Sequence, residues 1–176
     1  MPVFSTIGEP ATVPPLSQRE PQMVVFGGTG TRDRAYADDG ELLALACRDL
    51  GLTTILDIGP GTVAPQRVDG VPVRALGTLD DRSVAATLLQ SRAGFLAYPR
   101  SFLPKSTTFA AYCAHGVLPV CPPSTGVGSA EPTPPCWSLG VTPVPPEPQA
   151  VAQAALGWYR EHALDLQAVT IAELLS

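Results

Sequence analysis

Two short stretches combine glycine, hydroxyl and cationic residues at places where an apolar run gives way to a helical pattern. The first, Gly27-Gly28-Thr29-Gly30-Thr31, follows QMVVF and leads into Arg32 and Arg34. Glycines let backbone N–H groups come close to a ligand, so this turn suits a diphosphate, with Arg32 or Arg34 supplying charge. As a dinucleotide fingerprint it is defective. Gly28-Thr29-Gly30-Thr31-Arg32-Asp33 has Asp where the third glycine of GxGxxG belongs, while Asp57 lies at a workable but late distance to be the ribose-binding acid. A tight strand-to-helix turn without any ligand accounts for the same residues. The second stretch, Lys105-Ser106-Thr107, looks like the tail of a P-loop, but that motif needs glycine at positions 99 and 104 and both are proline. What remains is a helix entrance suited to an anionic group. Its alternative is a Ser106 cap beside a solvated Lys105.

Other reactive residues carry weaker signals. Four cysteines stand at 47, 113, 121 and 136 without a CxxC pair, which reads as reduced thiols in a cytoplasmic protein. Cys113, His115 and Cys121 lack the paired spacing of a zinc site, so no metal is expected. His115 and His162 fall near helix ends, where a cationic ring meets the helix dipole favourably. Asp33, Asp38 and Asp39 read as caps and dipole partners rather than bases.

These residues need a scaffold. The chain has 176 residues, 45% of them hydrophobic, enough for one ordinary domain with its own core. Net charge is −5 and Lys and Arg form no cluster, which argues against nucleic acid or a polybasic membrane contact. No apolar run approaches the roughly 20 residues of a transmembrane segment. Residues 1–21 are proline-rich and read as a linker or N-terminal segment; residues 22–176 read as the domain. Within it, QMVVFGG, TTILDIG (53–59), VPVRALG (71–77), AGFLAY (93–98) and VLPVCP (117–122) are short apolar strands. Helical spacing marks 36–50, a segment from Asp80 or Asp81 to Ser91, 106–116, 149–162 and a last short helix over 166–175. The proline- and glycine-rich stretch 121–148 reads as irregular. Strands alternating with helices predict an α/β fold, a parallel sheet with helices on both faces. Ligands of such sheets bind beyond the carboxyl ends of the strands, where both stretches above and LGTLDD (76–81) emerge.

Taken in order, Leu76-Gly77, Ser91-Arg92-Ala93, Pro99-Arg100-Ser101 and Ala114-His115-Gly116 followed by Pro119-Val120 resemble the C-terminal, donor-binding half of bacterial GT-B glycosyltransferases of the family 1 and family 4 kind. The resemblance covers about residues 22 to 122. It implies a Rossmann-like three-layer α/β/α sandwich that binds a nucleotide-diphosphate sugar, a UDP- or GDP-sugar, with no further cofactor. The base would lie near Gly77 and Leu79. The diphosphate would lie near Gly27, Gly28, Thr29 and Gly30, with Arg32 or Arg34, and near Lys105, Ser106 and Thr107. The acceptor would be held by a separate N-terminal domain of a longer chain, and residues 1–21 would be the linker to it. The family's donor-contacting Glu corresponds to Ala111, its earlier Glu falls near Leu103, and its Lys-Gly reads Asp39-Gly40. Those replacements leave a non-catalytic interaction module open as an alternative, and VVFGGTGTR leaves an NAD(P)-binding oxidoreductase domain as another.

Overall fold

The computed structural model describes residues 2–61, 64–123, 134–139 and 147–168. Met23, Val24 and Val25 form the centre of the first strand, β1 (Glu20–Phe26), and all three are buried. Side chains alternate across a strand. Met23 and Val25 accordingly join one apolar cluster with Leu43, Ile55, Phe95 and Val120, while Val24 joins a second with Leu56, Leu88, Phe109 and Tyr112. A strand apolar on both faces belongs in the middle of a covered sheet. β1 does lie there: it pairs in parallel with β2 (Thr54–Ile58) on one side and β5 (Ser91–Phe95) on the other.

The sheet has the order β3-β4-β2-β1-β5-β6-β7, with β3 (Arg67–Val68), β4 (Val71–Gly77), β6 (Leu118–Cys121) and β7 (Trp137–Ser138). All pairings are parallel except β3 with β4. Without that hairpin strand the order is the doubly wound 3-2-1-4-5-6 arrangement, so the α/β reading holds and the fold is Rossmann-like. The chain moves from β1 outward through β2 to β4, then returns across β1 to β5. The strand order therefore reverses between β1 and β5.

Helices α1 (Thr29–Ala37) and α2 (Gly40–Asp49) link β1 to β2, and Ala35, Leu43, Ala46 and Cys47 bury against the first cluster. α3 (Asp81–Gln90) and α4 (Thr107–Ala114) cover the opposite face through Val84, Leu88, Phe109 and Tyr112. α5 (Pro148–Arg160) contributes Val151 and Ala152 to one cluster and Ala155 and Tyr159 to the other. Residues 164–168 are helical, and the remainder of the helix expected over 166–175 lies outside the described residues. So does most of the segment read as irregular between 121 and 148, apart from β7 and its neighbours.

The proline-rich N-terminal stretch lies along this domain. Ile7 and Leu16 are buried in its two clusters, the Val3 N–H donates to Pro104 O at 2.8 Å, and Tyr159 Oη donates to the Glu9 carboxylate at 2.6 Å. Arg19 closes the stretch. It is 3% exposed, and all its N–H donors meet carbonyls: Pro14 twice, Leu88, Ser91 and His115. Two of those carbonyls end α3 and α4, where the negative end of the dipole favours a cation.

That cation replaces the one expected from His115. The ring is 1% exposed, its Nδ1 lies 2.8 Å from Ala111 O, and burial holds its pKa below the ordinary value. His115 is thus a neutral donor to its own helix, and Arg19 supplies the charge.

Candidate functional site

Loops after β1, β2, β4 and β5 emerge at one edge of the sheet. At the reversal between β1 and β5, neighbouring connections leave to opposite faces, which opens a crevice where ligands of such folds bind. Tyr112 forms its floor. Its hydroxyl accepts from the Phe26 N–H at 3.2 Å and shares its proton between Val24 O at 3.1 Å and Phe95 O at 3.3 Å. Burial drives the phenol pKa upward, so the group stays protonated and ends the β1–β5 ladder with its polar atoms satisfied. The ring lies so close to β5 that a Cβ on Gly94 would come within 2.6 Å of it. Glycine at 94 is what lets α4 sit down on the strand.

Two helix N-termini flank the crevice. α1 starts earlier than the periodicity predicted, at Thr29, with Gly28 as its N-cap. The predicted single helix over 36–50 is two helices, interrupted at Asp38 and Asp39. Thr29 and Gly30 occupy the first turn, both exposed, and no side chain caps that turn. The first N–H groups of a helix have no partner within it, so those amides face outward as donors. α4 starts at Thr107, with the Ser106 hydroxyl accepting from the Phe109 N–H at 3.2 Å. Ser106 therefore does serve as a cap, which leaves the Thr107 and Thr108 amides at the helix mouth. The two termini converge: a Cβ on Gly27 would lie 3.4 Å from Thr108 Oγ1. Lys105 is exposed beside them, at the end of a 3-10 helix over Arg100–Lys105.

The structure gives the sequence-predicted arginines different roles. Arg32 is 0% exposed, ion-paired with Asp57, and donates to the carbonyls of Gly27 and Pro60. Asp57 also accepts from Tyr36 Oη at 2.9 Å, which drives the phenol pKa further upward after burial itself has raised it. Arg32 is neutralised inside the fold, so its expected contact with phosphate is corrected to a positioning role. It ties the turn after β1 to the turn after β2. The same pairing removes Asp57 as a ribose-binding acid. A Cβ on Gly59 would run into Gly27 O and the Arg32 guanidinium, so these turns interlock at van der Waals contact. Arg34 sits farther along α1, about half exposed, 4.0 Å from Asp38. It lies away from the helix mouth.

Gly77 and Leu79 are on the same edge, but at the end of β4, with β2 between them and β1. Gly77 O accepts from the Gly59 N–H at 2.9 Å, and Leu79 packs partly buried against the second cluster. Asp80 caps α3 by accepting from Ser83 N at 2.8 Å. Gly27, Gly28, Thr29 and Gly30 are thus brought together with Ser106 and Thr107, while Gly77 and Leu79 stand two strands away. Ala111 and Leu103, at the positions of the resembled family's carboxylates, are both buried and apolar.

One residue escaped the sequence reading. Arg100 opens the 3-10 helix after β5, on the far side of the reversal, and its Nε and Nη2 are buried without a hydrogen-bond partner among the described residues. A buried cationic donor without an acceptor costs about 1–3 kcal/mol or more, which an incoming anion would recover. The available signal was an arginine in the first turn after the strand that follows the reversal. Among the described residues no group of three or more His, Cys, Asp or Glu is arranged to hold a metal, and no helix is long and apolar enough to cross a membrane. Protein-family models give no match to this chain, and neither do curated proteins.

Proposed function

We propose that this domain holds the diphosphate of a nucleotide sugar in the crevice between the β1 and β5 loops, as the donor half of a two-domain glycosyl transfer. The observation that carries the reading is the convergence of two helix N-termini at the strand-order reversal, one without a side-chain cap and one capped by Ser106, with Gly27 and Thr108 in near contact. Amides of Thr29, Gly30, Thr107 and Thr108 are suited to nonbridging phosphate oxygens, because helix N-termini carry partial positive charge. Lys105 and Arg100 would add full charges on the β5 side. Holding the diphosphate there stabilises the negative charge that develops on the leaving group as the glycosidic bond breaks. Acceptor activation would fall to a separate domain.

Calorimetry with uridine, guanosine and adenosine diphosphates tests the proposal. One of them should bind saturably, and Lys105→Ala should weaken it about tenfold, as loss of one charge-assisted contact does. No binding by any nucleotide overturns it.

A non-catalytic module is the second reading, favoured by the buried Ala111 and Leu103 in place of carboxylates. It requires that nucleotides leave the melting temperature unchanged. A dinucleotide-dependent oxidoreductase is less well supported, since Asp57 is already held by Arg32 and Tyr36.

A further inference from the structure

Three of the four thiols, none in a disulfide, gather where β6 ends. Cys121 is the last residue of β6 and fully buried, and its register partner on β7 is Ser138. Cys136 stands just before β7 and is partly buried, the one of the three that keeps some exposure to solvent. Cys136 lies two residues before that register partner, on the same face of the sheet as Cys121, and packs against the buried cluster that holds Cys121, which puts the Cys121 thiol within hydrogen-bonding reach of its sulfur. From the 3-10 helix the Arg100 guanidinium lies near enough to act on Cys136 through its charge, and its Nε and Nη2 have no hydrogen-bond acceptor among the described residues. Cys113 and Tyr112, on α4, are further titratable neighbours among the described residues, and both are fully buried.

We propose that Cys136 is a peroxide-reactive cysteine and that Cys121 is its resolving partner, the two closing a reversible disulfide across the β6–β7 edge. The Cys136 thiolate attacks one oxygen of hydrogen peroxide, the O–O bond breaks, and hydroxide leaves. Cys136 is then a sulfenic acid. The Cys121 sulfur attacks the sulfenic sulfur and the S–O bond breaks, with the Cys121 proton and the proton first lost from Cys136 passing to the departing oxygens. Two thiols and one peroxide become one disulfide and two waters.

The asymmetry of the pair supports these roles. The hydrogen bond from Cys121, with Arg100 adding its charge, brings the Cys136 pKa down to about 7 despite burial. The Cys121 thiol is driven upward by donating that bond and by burial, so it keeps its proton until it is attacking. Low-pKa, reachable thiolates beside a second cysteine are the ones that oxidise selectively. Cys47 lies among apolar residues, with its pKa raised by burial to about 11, and serves as the internal control. The inference shares Arg100 with the proposed diphosphate site, but its readout, a cross-linked peptide formed without nucleotide, separates the two.

Peptide mass mapping after brief exposure of the whole chain to hydrogen peroxide at neutral pH tests it. The expected product is a Cys121–Cys136 cross-linked peptide, with Cys47 and Cys113 still alkylated as free thiols. Cys121→Ser should leave a dimedone-trappable sulfenic acid at Cys136, and Cys136→Ser should leave Cys121 reduced. Arg100→Met should slow the oxidation about tenfold by lowering the thiolate fraction. Retention of all four thiols, a cross-link to Cys113, or Cys136 alkylation with the pH midpoint of an ordinary thiol would overturn the proposal.

Discussion

An arginine at each edge of this sheet meets opposite surroundings: Arg19 is buried whole, and Arg100 is partly buried with two guanidinium nitrogens enclosed. At the amino edge Arg19 has every donor on a carbonyl, including those that end α3 and α4. Burial lowers its pKa, but only to about 10, so it remains a cation at neutral pH. A groove of about 800 Å³ opens beside it, lined by Thr12, Val13, Glu20 and Gln90. At the carboxyl edge Arg100, in the first turn after β5, keeps two buried donors without hydrogen-bond acceptors among the described residues. The amino edge is a finished structural joint. The carboxyl edge holds positive potential that the described residues do not satisfy, and the difference separates a packing device from a binding one.

The largest way to break this contrast is Arg19→Met. It leaves buried carbonyls at two helix ends without donors, which should cost about 3 kcal/mol or more and lower Tm by roughly 10 °C. Nucleotide binding should be unaffected where the protein remains folded. Arg100→Met should do the reverse: Tm should hold or rise slightly, because an unsatisfied buried charge is removed, while diphosphate affinity falls about 10- to 100-fold. If both substitutions destabilise equally and neither changes binding, the two edges do not differ as described.

Between these lies Tyr112→Phe. Removing the hydroxyl strands the Phe26 N–H at the crevice floor and should cost about 1–3 kcal/mol, read from chemical denaturation. The smallest effect belongs to His115. Its folded pKa lies below the ordinary value near 6.5, so the unfolded chain binds the proton more readily. Stability is therefore fully present above that value and declines as pH falls through it toward the folded pKa. His115→Asn should flatten this part of the acid dependence of Tm between about pH 7 and 5, whereas an unchanged profile would show that His115 does not set it.

Much of the scaffold was legible because its strands are runs of apolar residues bounded by glycine or proline. β1, β2, β4 and β6 fall within a residue or two of expectation, and β5 begins two residues early because α3 runs straight into it at Ser91. α1 was not legible for a physical reason. Its inward positions are Arg32, Ala35 and Tyr36, and a hydrophobic pattern gives no weight to an arginine buried by an ion pair. The same pair hid the fate of Asp57. β3 was readable in principle: Asp69 and Gly70, both at positive φ, are the two-residue hairpin signal, in the stretch between the expected strands 53–59 and 71–77.

At the candidate site, the glycine turn and the Ser106 cap followed from residue type. Their mutual approach depends on the strand order, which no local pattern encodes. Arg100 and Cys136 were invisible for the same reason, since 35 intervening residues separate groups that meet only when β7 is added beyond β6.

The carboxyl-edge reading can be tested most directly by following backbone amide resonances while titrating the chain with a nucleoside diphosphate. The account predicts saturable shifts concentrated at Gly28, Thr29, Gly30, Ser106, Thr107 and Thr108, with Arg19 and Gln90 at the opposite edge unmoved. Shifts confined to the amino-edge groove, or none at all, would contradict it.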